Sequence, residues 1–160
     1  MQDDNGRHPC VRETVRMQTV RNILKHKGRQ IYSVEPDETV YNAISIMANR
    51  EVGALLVMQD QHPVGIISER DYTRKVILKE KSSKQTHVSE IMTSSLVTVS
   101  PHEHVDDCVT LMSQHHIRHL PVFDDGELVG MLSSRDVFSA IIDEQAHTIE
   151  HLEHYVRGEV

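Results

Sequence analysis

Val64-Gly65-Ile66-Ile67-Ser68-Glu69-Arg70-Asp71 and Val129-Gly130-Met131-Leu132-Ser133-Ser134-Arg135-Asp136 are one passage occurring twice. Each copy opens on an apolar run short enough for a buried strand. Each then meets a serine, with an aspartate three residues on. Downstream, apolar residues return at helical spacing: Tyr72, Val76 and Ile77 in the first copy, Val137, Ile141 and Ile142 in the second. The serine therefore marks the point where a strand ends and a helix begins.

That junction admits two readings. In one, Ser68 and Ser133 are N-caps worth roughly 1 kcal/mol each, and Asp71 and Asp136 close a capping box, with a shorter reach than the usual Glu or Gln. In the other, the helix N-terminus faces a ligand. Its N–H groups and positive dipole end receive a phosphate, Arg70 and Arg135 add bidentate charge, and the carboxylates accept from ribose hydroxyls. The two are compatible, since a serine can cap a helix whose aspartate turns outward.

The repeat extends well beyond the junction. Residues 33–77 lie over residues 98–142 without a gap, and 14 of the 45 aligned positions are identical, among them Val34, Pro36, Val40, Met47, Leu55, Val57 and Asp60. Such a period marks two copies of a supersecondary unit, each too small to bury its own core. The predicted order in each is strand, helix, strand, strand, helix. The first strands are Ile31–Val34 and Leu96–Val99. The first helices present Val40, Ala43, Ile44 and Met47, and Val105, Cys108, Val109 and Met112. The middle strands are Ala54–Met58 and His119–Phe123. Asp125-Gly126 is a strong hairpin signal. Before the repeat, Val20, Ile23 and Leu24 predict a short helix ending at Lys25, Lys27 and Gly28. The last helix is expected to run from about Val137 to Arg157, with Ile141, Ile142, Ile149, Leu152 and Val156 forming a stripe longer than its own unit needs.

Composition narrows the function classes. With 160 residues the chain can bury a sizeable core, and with no Trp that core rests on Val, Ile, Leu and Met. A net charge of −7 argues against a nucleic-acid partner, because binding a phosphate backbone needs a basic face. No apolar run reaches the length of a membrane span, and the polar start, Met1–Cys10, has no signal-peptide character; a soluble, cytoplasmic protein is expected. Cys10 in an arm and Cys108 on an apolar helix face make no disulfide framework. His115, His116 and His119 cluster before a strand, and His147, His151 and His154 share a helix face. Neither group carries a recognised metal motif, so they are read as solvated. No nucleophile–base pair is nominated, so catalysis is not expected.

The repeated unit, its junction and the His-Leu-Pro-Val strand at 119–122 resemble the CBS domain, and the tandem pair resembles a Bateman module of the small stand-alone bacterial kind, over residues 17–157. The resemblance implies an α+β fold of two units packed sheet to sheet about a pseudo-two-fold. It implies adenine nucleotides in the clefts between them: AMP first, with ADP, ATP, NAD(H) or S-adenosylmethionine in some members. The family's ribose aspartate falls on Asp71 and Asp136 and its hydroxyl on Ser68 and Ser133, with Arg70 and Arg135 beside them. Backbone at Gly53, Ala54 and Leu55 and at Arg118, His119, Leu120 and Pro121 would line adenine and phosphate, with Tyr32 and Ser33 as the next candidates. Gly53-Ala54 stands where the other copy has Arg118-His119, so the clefts are not equivalent. The expected organisation is an arm at 1–16, a first unit with the N-terminal helix at 17–78, a linker at 79–87 and a second unit at 88–157. A homodimer is expected from the spare apolar stripes, together with a regulated protein partner. The function classes left open are a nucleotide-sensing regulatory module and a non-liganded dimerisation scaffold.

Overall fold

The computed structural model describes residues 18–158; the expected arm at 1–16, with Cys10, lies outside them. The elements are α1 (Val20–Lys27), β1 (Ser33–Val34), α2 (Val40–Arg50), β2 (Ala54–Gln59), β3 (His62–Ser68), α3 (Glu69–Lys75), α4 (Val105–His115), β4 (His119–Asp124), β5 (Glu127–Ser133) and α5 (Ser134–Val156), with single 3-10 turns at Ile77–Lys79 and Val88–Glu90. The fold is α+β. In the first sheet β1 pairs parallel with β2 and β2 antiparallel with β3; in the second, β4 and β5 are antiparallel.

The hairpins close where the sequence predicts. Asp125 and Gly126 both have positive φ, 48° and 82°, the pair a tight primed turn requires. Asp60 and Gln61 adopt the same shape in the first copy, at 49° and 66°. Leu55 and Val57 lie in the first core, and Leu56, on the opposite face of β2, is fully buried as well. The sheet is thus covered on both sides, which its period-two alternation requires of an all-apolar strand.

The first strand of the second unit is shorter than predicted. In the first unit Leu56 N–H donates to Tyr32 O at 3.1 Å. The matching residue in β4 is Pro121, which has no N–H. The Leu96–Val99 segment therefore holds on through Val99 alone, which donates to Pro121 O at 3.1 Å and accepts from Phe123 N at 2.9 Å.

Two segments pack in the core of the unit other than the one they are grouped with along the chain. Helix α1, assigned to the first unit, buries Val20, Ile23 and Leu24 in the second core, beside Val99, Val105, Cys108, Leu120 and Leu132. Val88 and Ile91, assigned to the second unit, lie in the first core with Val40, Met47, Leu55 and Ile67. Each unit thus lends the segment that precedes it to the other. The hydrogen bonds repeat this exchange: Val20 N–H to Glu103 O and Val88 N–H to Glu38 O, then Val105 N–H to Gln18 O and Val40 N–H to Thr86 O, all at 2.8–3.0 Å. The linker is accordingly packed rather than solvated near its end, with Thr86 only 4% exposed. The physical reason is satisfaction of helix termini: carbonyls of the lent segments accept from the otherwise unpaired first N–H groups of α2 and α4.

Gly65 and Gly130 make room for the lent segments. A Cβ on Gly130 would stand 2.7 Å from Leu24 Cδ2, and one on Gly65 would stand 2.8 Å from Met92 Sδ and 3.0 Å from the Thr93 carbonyl oxygen. A leucine tip can move; the Thr93 backbone is tied to Ile66 by two hydrogen bonds of 2.9 and 3.0 Å. Gly65→Ala is therefore expected to destabilise the fold by about 1–3 kcal/mol, the usual penalty of overpacking, and to exceed Gly130→Ala. Urea unfolding of both variants checks the order.

Candidate nucleotide clefts

Both serine–aspartate junctions are capping boxes. Asp71 N–H donates to Ser68 Oγ at 3.3 Å, while Asp71 Oδ2 accepts from Ser68 N at 2.9 Å and from Ser68 Oγ at 2.8 Å. For Ser133 and Asp136 the corresponding distances are 3.2, 2.7 and 2.7 Å. The shorter aspartate reaches back without difficulty because the serine hydroxyl also donates to it. The boxes hold each carboxylate, part-buried, at the mouth of a strand–helix turn.

Two lysines complete these sites, and sequence reasoning assigned neither to them. Lys75 Nζ stands 2.8 Å from Asp71 Oδ1 and donates to Ile91 O at 2.7 Å. It lies one helical turn after Asp71, so the i,i+4 spacing was the available signal. Lys27 Nζ stands 2.5 Å from Asp136 Oδ2 and donates to Met131 O at 2.7 Å. Its route to Asp136 depends on α1 packing on the other unit, which no local pattern encodes. Burial alone would raise the Asp136 carboxyl, but the hydrogen bonds from Lys27 and Ser133 outweigh it and hold the group below its ordinary value.

The unlike residues of the two copies meet. The His119 ring lies 3.3 Å from the position a Gly53 Cβ would take. Each neighbouring turn is fastened in the same way: Glu69 N–H donates to Gly53 O at 3.1 Å, and Ser134 N–H to Arg118 O at 2.8 Å. Arg70 spans the units, donating to His116 O at 2.7 Å; this carbonyl belongs to the left-handed residue that ends α4. His119 is pushed down to about 4, first by burial and then by Lys27, with Arg118 and Arg70 adding to the effect against the opposing pull of Asp136. At neutral pH it is an uncharged ring among three cations and one carboxylate.

The remaining expected residues divide. Leu55 and Leu120 are fully buried in the two cores, so only their backbone is available to a ligand, and Ala54 is also buried. Pro121 is buried and occupied by the Val99 bridge. Tyr32 packs on the first core, with the Arg50 guanidinium 5.3 Å from its ring centre, while Ser33 is exposed on the edge strand. Arg135 is exposed on the first turn of α5. A groove of about 570 Å³ lies away from both junctions, between Gln18, His104–Asp106 and the α5 residues Ile141, Glu144, Gln145, Thr148 and Ile149. Among the described residues no group of His, Cys, Asp or Glu is arranged to hold a metal, and no helix is long and apolar enough to cross a membrane.

Comparison with known proteins agrees with the duplicated architecture. The chain is 38% identical over 149 residues to CBS domain-containing protein CBSX3, mitochondrial, of Arabidopsis thaliana, covering 88% of this chain and 72% of that one. A CBS-domain protein from Burkholderia ambifaria MC40-6 superposes with a TM-score of 0.77 at 46% identity, over 80% of this chain and 96% of that one. The CBS domain pair of protein MJ0100, solved with 5′-methylthioadenosine and S-adenosyl-L-methionine, shares the fold with a TM-score of 0.69 at 24% identity, over 80% of this chain and 98% of that one. The CBS-domain model matches residues 11–77 and again 88–143. Two matches, one over each half of a chain that lends segments across its own middle, place this protein in the CBS-domain family as a tandem pair.

Proposed function

We propose that the chain is a regulatory module that binds an adenine nucleotide in the clefts between its units, AMP first, with ADP, ATP or NAD(H) as the other candidates, and transmits occupancy to a protein partner without catalysing a reaction. The second cleft carries the reading. There Asp136 is held charged at a helix N-terminus with Lys27, Arg118 and Arg70 close by, a combination suited to a ribose on one side and a phosphate on the other. In related MJ0100 the pair is solved with adenosyl compounds, which supports the same ligand class. The first cleft has Gly53 in place of Arg118 and is less basic, and the His119 ring reaches into the space beside Gly53. The second suits a compact phosphate. Cys108, a free and buried thiol held up at about 11 chiefly by burial, is in keeping with a reducing compartment such as the cytoplasm.

A thermal-shift titration tests this reading. AMP should raise the melting temperature in a concentration-dependent way, as any ligand of the native state does. The capping boxes favour the second reading, a dimerisation scaffold, because they employ both aspartates without any ligand. No shift with AMP, ADP, ATP or NADH would select the scaffold.

The proposal includes a homodimer. Phe138, Ile142, Ile149, Leu152 and Val156 of α5 are each at least 55% exposed. Ile142, Ile149 and Val156 recur at intervals of seven, as do Phe138, Gln145 and Leu152, the spacing of a helix seam that packs on another helix. Light scattering after size exclusion should give twice the chain mass at tens of micromolar, and Ile149→Glu with Leu152→Glu should give the monomer. A monomeric wild type would return α5 to its own unit.

A further inference from the structure

The pairing of Lys27 with Asp136 bears on which ligands the second cleft can take; this rests on the reading of Asp136 as the ribose carboxylate. Asp136 Oδ2 accepts from three donors: Ser133 N and Ser133 Oγ, each at 2.7 Å, and Lys27 Nζ at 2.5 Å. The serine donors are fixed by the start of α5. Lys27 is not. Its side chain is 31% exposed, on a flexible stem at the last residue of α1, followed by Gly28 at a φ of 90°. A diol arriving at this carboxylate therefore crowds one partner that can leave, and that partner is a cation.

We propose that Lys27 is the residue by which the second cleft selects phosphorylated nucleosides over unphosphorylated ones. In the free cleft its ammonium is shared between Asp136 and the Met131 carbonyl. When ribose hydroxyls take the carboxylate, the ammonium needs another anion. A phosphate on the same ligand supplies it; adenosine or another neutral or cationic adenosyl compound does not, and must instead compete with an intact ion pair. The neighbours strengthen the choice. Arg70 is anchored across the unit boundary on His116 O at 2.7 Å, and Lys27, Arg118 and Arg70 all lie near enough to the His119 ring to act on it, so the phosphate would meet further cations beside Lys27. Asp71 has no such competitor from α1: its lysine, Lys75, belongs to its own helix and shares the other oxygen, Oδ1, with no donor from Ser68. Selection by this route thus belongs to the second cleft alone.

The test is calorimetry of AMP and adenosine on the full chain carrying Asp71→Asn, which weakens the first cleft so that the second is read. Into this background go Lys27→Met and Lys27→Arg. The expected result is an AMP-to-adenosine affinity ratio that falls about tenfold or more with methionine, since a charge-assisted contact is lost for one ligand and a competitor is removed for the other. Arginine should keep most of the ratio. Circular dichroism shows whether each variant is folded, and if methionine disrupts α1 the arginine variant still decides: a ratio that falls about tenfold in a folded Lys27→Arg chain would count against selection by charge. A ratio unchanged in a folded Lys27→Met chain overturns the role of Lys27 while leaving nucleotide binding in place. Absence of AMP binding in the Asp71→Asn chain, with binding in the wild type, also overturns it and assigns the nucleotide to the first cleft. Absence of AMP binding in the wild type itself overturns the nucleotide reading and the Lys27 proposal with it.

Discussion

Asp136→Asn is expected to weaken AMP binding at the second cleft by roughly ten- to hundredfold, and Asp71→Asn to do the same at the first. A carboxylate can accept from both ribose hydroxyls; the amide keeps the size but loses the charge and half the acceptor capacity. Hydrogen bonds to charged groups are worth about 1.5–3 kcal/mol, which sets the range. Ribose is common to AMP and NADH, so both ligands should lose affinity. The capping boxes predict a smaller, separate effect. Asn can still accept from the serine N–H, so the fold should survive, with Asp136→Asn losing in addition its ion pair to Lys27, a partly exposed contact worth about 1 kcal/mol or less. Calorimetry read beside thermal melts separates the two. Unchanged binding with a lowered melting temperature would mean that these aspartates cap helices and do nothing more.

The second large effect concerns pH. Stability is expected to fall as pH drops from about 6.5 towards 4, and His119→Gln is expected to remove most of that slope. Burial, then Lys27, Arg118 and Arg70, hold the native ring at about 4, whereas in the unfolded chain it takes a proton near 6.5. Between these values the unfolded state binds more protons than the native one, so stability rises with pH. The contribution is complete above 6.5 and gone below about 4. At 1.36 kcal/mol per unit the interval corresponds to at most about 3 kcal/mol. Asp136 acts in a lower window: its carboxyl is depressed, so its contribution is present above the unfolded carboxylate value and is lost only as pH falls through the native one. Urea unfolding of wild type and His119→Gln at pH 7.5, 6, 5 and 4.5 measures the difference. Parallel curves would show that the ring does not stay neutral in the fold.

The neutral ring also explains how two equivalent junctions come to have unlike surroundings. Gly53 leaves space that the His119 ring fills from the other unit, at 3.3 Å from where a side chain would begin. Uncharged, the ring can pack there among three cations without the repulsion a protonated imidazole would meet. The asymmetry of the copies is therefore a matched pair of residues, small on one side and aromatic on the other.

Much of this architecture can be read along the chain because it depends on neighbours in sequence. The duplication, both capping boxes, the Asp125-Gly126 turn and the buried faces of α2 and α4 follow from periodicity and from reach within one turn of backbone. Pro121 announces a lost hydrogen bond, though only the parallel Val99 bridge shows that the loss shortens a strand. What the tertiary structure decides is which copy each segment joins. Val20–Leu24 and Val88–Met92 carry similar apolar patterns, and either could satisfy either core by hydrophobicity alone. The choice is made by long-range terms: carbonyls of the lent segments meeting the first N–H groups of α2 and α4, and glycines at 65 and 130 that admit a foreign side chain. That choice delivers Lys27 to Asp136 and His119 to Gly53, so the serines and aspartates of the candidate site were legible in the sequence, while the cation and the ring that make its two clefts different were set by packing between units.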